Sequence, residues 1–586
     1  MSISRRTFLH GAVAASGVSA LGLPAAGASP AVAVPGAAWP SADAWAALRA
    51  RLGDRLVAVT SPLAPCAADA PGAACSAALK DMANPFFIQD HPGAQQTNGW
   101  LDAWTFEPSP YAVAAESADD VAAAVSFARE HGVRLAIKGA GHDYLGRNCA
   151  PDSLLVWTGR MRGVRYEPEF RIAGAADSDA GVPAVVAQAG ARWIEVYTAA
   201  TQAGRYVQGG GCTSVGAAGG FLQGGGYGSF SKRFGSGAGG VLEFEVVTAD
   251  GSVLVANKAQ NADLFWALRG GGGGTFGIVT RVALRAHEPP QTIGLAHGTI
   301  QAPDEATFRE LLSRFVAFYP GALNNPHWGE QLSVRGDNSL QVYMTFLDLD
   351  EAAAKAVWQP LLDDLPAGAR ADLAFDVFRF SDLWDLSAWQ ETDPDFVRVD
   401  TRPEALPNHY WWASNQGEVS QFLNTYQSRW LPLSLFAPDR AGTLARALFQ
   451  ASRHAPVSMH FNKGLSGAPA DVLAREAEET SINPLVREAA TLVIIASNQA
   501  PVFPGIPGHE PDLARGRAAR GRIQAAIDIL REATPGGGTY ANEADYFEPD
   551  WQRSFYGEHY DRLLEIKRKY DPGNLFRVHH GVGSDG

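Results

Sequence analysis

The feature that most constrains this chain is a dense run of glycines near its middle. Fourteen glycines lie between Gly209 and Gly240, in a chain of 586 residues. Two more glycine-rich loops occur: 138–146 follows a predicted strand, and 268–279 follows a predicted short helix. Successive backbone N–H groups without side chains suit a pyrophosphate or an electron-rich ring. Because a Rossmann fingerprint after the first strand and a Walker lysine are both missing, we expect a large nucleotide held in another way.

The composition narrows the classes of function. Apolar residues make up 46% and charged residues 19%, an ordinary globular balance. The formal net charge is −14 and no basic run occurs, so nucleic acid is a poor partner. No metal site is predicted.

The N-terminal segment 1–33 is typical of an export signal. Arg5 and Arg6 precede a stretch rich in Ala, Gly and Val, and Ala31–Ala33 is a small-residue cleavage site. We therefore predict export through the Tat machinery to the periplasm or the outside. A membrane anchor is the alternative, but Ala and Gly partition poorly into lipid, so stable membrane insertion is not expected. No other stretch is long and apolar enough to span a bilayer.

The four cysteines fall into three groups. Cys66 and Cys75 lie nine residues apart, and outside the cytoplasm they could form a disulfide or stay as two free thiols. Cys149 is predicted to be a small buried residue. Cys212 opens the longest glycine-rich loop and is a candidate for chemistry.

Local patterns predict several elements. A helix is expected between its cap Ser117 and Gly132, followed by a strand over 133–138. Residues 241–256 read as a hairpin turning at Asp250 and Gly251. A short helix is expected over 261–269, and a final one runs from Asp550 to Tyr570. From about 290 onward the remaining predictions are a helix containing Phe308, Leu311, Leu312 and Phe315, and strands over 340–346, 457–461 and 491–497.

Five motifs, in order along the chain, resemble those of one enzyme family. They are Gly139–His142, Cys212–Gly216, Gly219–Gly228, Asp263–Val279, and a closing pair made of Tyr540–Glu543 and Tyr560–Phe576. They are similar to the motifs of the berberine-bridge-enzyme-like branch of the vanillyl-alcohol-oxidase-type, FAD-linked oxidases. Ala140 replaces a glycine, Thr213 a proline, and Phe221–Gln223 a His-Phe-Ser run, so contacts to the ring can differ. The resemblance covers nearly the whole chain after residue 33.

The resemblance implies an α+β fold, with a two-part PCMH-type FAD-binding domain and an inserted substrate domain. The inserted domain is expected to be an antiparallel sheet covered by helices. After the signal, residues 34–290 and 505–586 would form the FAD-binding domain, whose PCMH-type core spans about 107–288. Residues 291–504 would form the substrate-binding domain.

The resemblance also implies that FAD is covalently bound, through its 8α-methyl to His142 and through its C6 to Cys212. It supplies Tyr540 as a candidate catalytic base. A free tyrosine has a pKa near ~10, so it would need nearby cations or donors, and Tyr540 could instead only order the site beside Asn542. The predicted cofactor-binding residues are His142, Cys212, Lys138, Gly139, Ala140, Gly141, Asp143, Tyr144, Gly146, Val215, Gly216, Gly219, Gly220, Gly224, Gly225, Gly226, Tyr227, Gly228, Gly277, Ile278, Val279, Tyr540 and Asn542.

The implied function is oxidation of a small hydroxylated molecule, such as a sugar, an alcohol or a secondary metabolite, with O2 reduced to H2O2. Two alternatives stay open: a dehydrogenase that passes electrons to a quinone or protein, and a non-catalytic flavin carrier. Val215 stands at a position where family members with valine resemble oxidases, whereas members with leucine resemble dehydrogenases. The aromatic cluster His409–Trp412 would suit stacking on a substrate or packing in the core. His460, Asn462 and Lys463 form a polar cluster with the same two interpretations.

Overall fold

A computed structural model describes residues 39–68, 72–176 and 180–584. The predicted export signal, residues 1–33, lies outside the described residues. No helix in the described part of the chain is long and apolar enough to cross a membrane.

The first part of the chain contains all the strands of a four-stranded sheet and of a six-stranded sheet. Its elements begin with α1 Ala42–Leu52, β1 Leu56–Ala58, α2 Ala64–Ala68, α3 Ala73–Asp81, α4 Pro85–Gln89, β2 Thr97–Trp100, β3 Trp104–Thr105, β4 Tyr111–Ala114, α5 Ala118–His131 and β5 Arg134–Lys138. They continue with β6 Ser153–Trp157, β7 Val164–Phe170, β8 Val182–Gln188, α6 Trp193–Gln202, β9 Tyr206–Val207, α7 Gly220–Gln223, α8 Ser231–Phe234, β10 Val241–Val247, β11 Val253–Asn257, α9 Ala262–Leu268 and β12 Ile278–His287.

The rest of the chain adds most of a third, larger sheet and its helices. These elements are β13 Thr292–Gln301, α10 Glu305–Ala322, β14 Gln331–Val334, β15 Ser339–Leu347, α11 Glu351–Asp363, β16 Arg370–Arg379, α12 Leu386–Thr392, β17 Val397–Val399, β18 Tyr410–Trp412 and β19 Gln421–Pro432. They end with α13 Ala441–Ser452, β20 Val457–His460, α14 Ala470–Glu479, α15 Leu485–Glu488, β21 Ala489–Gln499, α16 Leu513–Ala533, α17 Trp551–Tyr556 and α18 Tyr560–Tyr570.

The two small sheets carry the glycine-rich loops. The four-stranded sheet has the order β1-β4-β6-β5, and its last three strands are parallel. The loop that contains His142 follows β5. In the six-stranded sheet the order is β11-β10-β12-β8-β7, and β9 pairs with β12. All its pairings are antiparallel, and β9 leads into the loop that contains Cys212.

The nine-stranded sheet has the order β16-β13-β15-β14-β20-β21-β19-β2-β3. Alternate side chains on strands point to opposite faces, and one face packs against α10, α13 and α16 through residues such as Leu312, Leu448 and Ile527. The opposite face contributes Tyr426, which packs against a cluster containing Tyr540. This α+β architecture agrees with the expectation of a sheet covered on one face by helices.

The sheets differ from the predicted domain division at two places. Strands β2 and β3, from the first part of the chain, join the edge of the nine-stranded sheet, with β2 parallel to β19. Helix α16, from the predicted C-terminal FAD-binding part, covers the same sheet. Sequence patterns describe neighbours along the chain, so they gave no sign of these two long-range pairings.

Most predicted elements are present. Helix α5 has a capping box at Ser117 and ends at Gly132 with φ +65°, and the hairpin β10–β11 forms as expected. The prediction of a single final helix was wrong. Helices α17 and α18 are separate, because Gly557 has φ +56° and ends α17. Cys66 and Cys75 are joined in a disulfide. Cys149 is half-buried rather than fully buried.

Candidate active site

The loop after β5 is anchored by a buried lysine. The ammonium of Lys138 donates hydrogen bonds to the carbonyls of Ile88 (3.1 Å), His91 (2.7 Å) and Ala94. Burial lowers the pKa of Lys138 to about 7. Because these three bonds use all three N–H donors, Lys138 holds protein backbone in place, and a direct contact with a cofactor stays a prediction.

His142 lies in this loop with one ring nitrogen engaged. Its Nε2 is 3.2 Å from the Ser214 hydroxyl and 3.3 Å from the Gln89 amide nitrogen. Burial lowers the pKa of His142 to about 4, so the imidazole is neutral near neutral pH. Both contacts are made by Nε2, which leaves Nδ1 as the nitrogen on the other side of the ring.

Backbone contacts hold the loop that carries Cys212. Trp193 N–H donates to Val215 O (2.9 Å) and Ile194 N–H donates to Thr213 O (3.0 Å). Cys212 itself is half-buried. Burial first, and then the nearby charge of Glu418, raise the pKa of its thiol.

Strand β18 covers this second loop from outside. Trp412 donates its indole N–H to Gly211 O at 2.7 Å, and Thr213 donates its hydroxyl to Tyr410 O at 2.5 Å. Within the predicted cluster His409–Trp412, the first three residues are buried and Trp412 is half-buried. His409 stacks on Phe86 with ring centroids 4.4 Å apart. Of the two interpretations of this cluster, packing is the one that these contacts support.

The glycines face either open space or close neighbours. A Cβ placed on Gly211, Gly219 or Gly220 would have no atom within 4 Å, so these residues border a space free of protein atoms. A Cβ on Gly216 would lie 3.3 Å from the Cβ of Ala140, which brings the two loops into contact, and a Cβ on Gly224 would collide with Asn542. A backbone cradle beside open space suits a flat, extended cofactor such as FAD.

Tyr540 and Asn542 lie against this cradle. The Tyr540 oxygen accepts hydrogen bonds from Gly226 N–H (3.2 Å) and from the Asn542 amide (3.0 Å), which also donates to Gly220 O (2.9 Å). Hydrogen bonds from these donors would stabilise the phenolate form that a tyrosine base needs. Burial and then Glu543 nevertheless raise the pKa of Tyr540.

A group of charged and phenolic side chains lies beside Tyr540. Lys463 forms an ion pair with Glu543 and has its Nζ 5.9 Å from the centre of the Tyr540 ring. The rings of Tyr144 and Tyr426 are 5.2 Å apart. Glu418 is a hydrogen-bond partner of Tyr144, and burial raises the pKa of its carboxyl group.

Sequence reasoning missed Glu418 and Glu543 as chemistry-bearing residues, and it missed Gln89 and Ser214. Glu418 stands in no motif, so only the three-dimensional packing reveals it, whereas Glu543 and Ser214 lie inside quoted motifs. Of the predicted polar cluster, Lys463 joins the charged group. His460 contacts the Ser458 hydroxyl at 3.1 Å, and Asn462 is buried.

The other predicted cofactor-binding residues lie around the two loops. Asp143 pairs with Arg147 (2.5 Å), and Gly146, at φ +72°, lies against Trp104. Val215 packs against the core of the six-stranded sheet, and Tyr227 packs against Tyr540 with ring centroids 5.0 Å apart. The remaining ones stand in the same loops or at the start of β12, namely Gly139, Gly141, Gly225, Gly228, Gly277, Ile278 and Val279.

The sheets, the glycine-rich cradle and the residues beside it define a flavoprotein of the FAD-linked oxidase class. Residues 109–257 match the FAD binding domain model, and residues 539–583 match the berberine and berberine-like model. The chain belongs to the VAO-type, berberine-like family of FAD-linked oxidoreductases. A VAO-type flavoprotein oxidase, VAO615, from Thermothelomyces thermophilus is 32% identical over 575 residues, which cover 93% of this chain and 91% of the relative.

Solved structures share the fold. The VAO-type flavoprotein MtVAO615 from Myceliophthora thermophila is 28% identical, with a TM-score of 0.74 over 94% of this chain and 97% of its own. A glucooligosaccharide oxidase from Acremonium strictum, described as carrying a 6-S-cysteinyl, 8α-N1-histidyl FAD, is 19% identical, with a TM-score of 0.60 over 81% and 92%. The latter identity supports the fold alone.

Proposed function

We propose that the protein binds FAD covalently through His142 and Cys212 and oxidises a hydroxylated small molecule, with O2 as the electron acceptor. The observation that carries this proposal is the meeting of two distant loops. Ser214, two residues after Cys212, contacts the ring of His142 at 3.2 Å. The glycines of the second loop border the adjacent space. The pair of links in the glucooligosaccharide oxidase, to a cysteine and a histidine, matches the pair proposed here.

FAD, when bound, accepts the hydride from the substrate C–H bond. The protein must then take the hydroxyl proton, and two groups compete for this role. Tyr540, which we propose as the base, receives two hydrogen bonds that would stabilise its phenolate. Glu418, beside Tyr144, is the rival, since a carboxyl group with a raised pKa is a better proton acceptor than an ordinary one.

Attachment is tested on the purified protein. The wild type should give a fluorescent band on a denaturing gel, and peptide masses should place flavin on both residues. His142→Ala and Cys212→Ala should each keep one bond, and only the double variant should release FAD. Release of free FAD from the denatured wild type would refute the proposal.

The substrate and the acceptor are tested together. A panel of hydroxylated sugars, alcohols and phenols should be assayed for peroxide. After anaerobic reduction, the flavin should regain its absorbance in air, and Val215→Leu should slow that step more than it slows flavin reduction. A wild type that stays reduced in air yet reoxidises with a quinone would instead be a dehydrogenase.

The base is tested with the substrate found in that panel. Loss of the general base should slow flavin reduction about 10²–10⁴-fold, so Tyr540→Phe and Glu418→Gln are compared, with the exposed Glu391→Gln as the matched control. If Glu418 is the base, the rate should rise with pH as its carboxyl loses its proton, above the usual range for glutamate because its pKa is raised. That rise should vanish in Glu418→Gln. If Tyr540→Phe alone is slow, Tyr540 is the base.

We also propose export through the Tat pathway, on the strength of Arg5 and Arg6 and the site at Ala31–Ala33. The disulfide between Cys66 and Cys75 fits an oxidising compartment. Replacing both arginines by lysine should retain the precursor in the cytoplasm. Undiminished protein outside the cell would rule out this pathway.

A further inference from the structure

The Glu418 turn, residues 416–420, contains a residue in an unusual backbone conformation. Glu418 ends a short 3₁₀ helix, Ala413–Glu418, and two residues later Ser420 has φ +57°. Such a value is uncommon for residues other than glycine and persists where the surrounding structure enforces it. Ser420 is buried, and its carbonyl accepts a hydrogen bond from Val502 N–H at 2.9 Å. The neighbours of Ser420 therefore determine where Glu418 lies.

The hydroxyl of Ser420 is held by the end of helix α3. It donates a hydrogen bond to Met82 O at 2.7 Å. Carbonyls at the end of a helix lack partners inside the helix, so this bond satisfies one of them. Gln416 donates its amide N–H to the next carbonyl, Ala83 O, at 3.0 Å. Two hydrogen bonds thus attach the Glu418 turn to the C-terminal end of α3.

Helix α3 is itself held by the disulfide. Cys75 lies near the start of α3 and is joined to Cys66 of α2, with Cα atoms 4.5 Å apart. A disulfide fixes the separation of the two segments that it joins. Both cysteines belong to a buried cluster that also contains Met82 and Val419, the residue after Glu418. The contacts therefore run from the disulfide, through α3, to the Glu418 turn.

The side chain of Glu418 reaches the candidate active site. It is a hydrogen-bond partner of Tyr144 in the loop after β5, and its charge acts on the thiol of Cys212. The other charged groups near its carboxyl are Glu543 and Lys463. Burial first, and then the charge of Glu543, raise the pKa of Glu418. A displacement of about 1 Å in a site of this kind can lower the rate about 10²-fold, so the position of this carboxyl matters.

We propose that α2, α3 and the disulfide between Cys66 and Cys75 form a positioning element for the oxidation. Through the bond from Ser420 to Met82, this element holds the Glu418 carboxyl against Tyr144, beside the flavin and the substrate. This inference rests on the proposed function, in which the substrate is oxidised beside these residues. Both cysteines are almost completely buried, so they act on the site through Glu418.

The first readout uses the holoenzyme without substrate. Loss of the Glu418 proton should change the absorbance spectrum of bound FAD, in a step above the usual range for glutamate because the pKa is raised. Glu418→Gln identifies this step by removing it. In the double variant Cys66→Ala/Cys75→Ala, and in Ser420→Ala, the carboxyl should gain access to water and the step should move down toward ~4.3. Ser153→Ala, which removes a buried hydroxyl bonded to Ala150 O at 2.9 Å, is the control and should leave the step unchanged.

The second readout is the rate of flavin reduction by the substrate found in the panel. The double cysteine variant and Ser420→Ala should each slow it about 10–10²-fold. In the Glu418→Gln background the same changes should slow it less than about twofold, because the carboxyl that they position is already gone. The loss in free energy of unfolding should be equal in both backgrounds. Ser420→Ala keeps the disulfide, so it carries the test if the double cysteine variant does not fold.

Three results would overturn the inference. They are a wild-type spectrum without a step that depends on Glu418, a step that stays in place in both variants, and equal slowing of flavin reduction with and without Glu418. The last would mean that the disulfide only stabilises the fold. The proposed function is judged separately, by flavin attachment and peroxide production in the wild type, which can succeed while this inference fails.

Discussion

The loop that carries His142 and the loop that carries Cys212 are held by different kinds of contacts. The first depends on side chains: the Lys138 ammonium binds three carbonyls, and Gln89 and Ser214 fix the imidazole. The second depends mainly on backbone hydrogen bonds to the start of α6, with β18 across it. Single substitutions should therefore disturb the histidine loop more than the cysteine loop, because backbone bonds survive a change of side chain.

The largest effect is expected from Lys138→Met, which removes three hydrogen bonds from buried carbonyls. The carbonyls of Ile88 and His91 keep backbone partners, so each lost hydrogen bond costs about 0.5–1.5 kcal/mol net and the free energy of unfolding should fall by about 1.5–4.5 kcal/mol. The midpoint of urea unfolding and the flavin on His142 are measured together. Lys232 binds the carbonyls of Phe461, Gly464 and Ala490 in the same way. Lys232→Met is thus the matched control, and we expect it to be destabilised to a similar extent but to keep the flavin on His142. A Lys138→Met protein with wild-type stability and flavin content would contradict the comparison.

The next effect separates the two bonds by pH. With its pKa lowered to about 4, His142 is already neutral above pH 5, so histidyl bond formation in Cys212→Ala should be flat between pH 5.5 and 7.5. The raised pKa of Cys212 keeps its thiol protonated there, so cysteinyl bond formation in His142→Ala should rise about tenfold per pH unit. Protein made without flavin is mixed with FAD, and the bound fluorescence is followed with time. A histidine rate that titrates near pH 6.5 would contradict this assignment.

The smallest effect is expected from Thr213→Val in the cysteine loop. The change removes one hydrogen bond, to Tyr410 O, and should cost about 0.5–1.5 kcal/mol. The cysteinyl bond should form as in the wild type, because the backbone bonds of Thr213 and Val215 to α6 remain. Its flavin content is read from peptide masses, with Trp412→Phe as a second single-bond change. Loss of cysteinyl flavin in either variant would show that side chains also control this loop.

Short-range signals in the sequence were enough for much of the fold. The cap at Ser117 and the glycine at 132 bounded α5 within a residue, because both act on the adjacent turn. The turn at Asp250 and Gly251 likewise gave the hairpin β10–β11. The break between α17 and α18 was missed because a single glycine costs a helix only about 1 kcal/mol, so Gly557 by itself does not mark a helix end. Its positive φ depends on the surrounding packing.

The sequence by itself determined the family and predicted the loops for the cofactor, since each glycine-rich motif, with its His142 or Cys212, is contiguous in the chain. Only the tertiary structure decided what surrounds them. Gln89 and Ser214 are 125 residues apart, and Glu418 reaches Tyr144 from a segment with no motif. Such contacts depend on how whole sheets pack, and no local pattern records that packing. The motifs therefore supply the candidate residues His142 and Cys212, whereas the fold sets the neighbours and the protonation of the His142 ring.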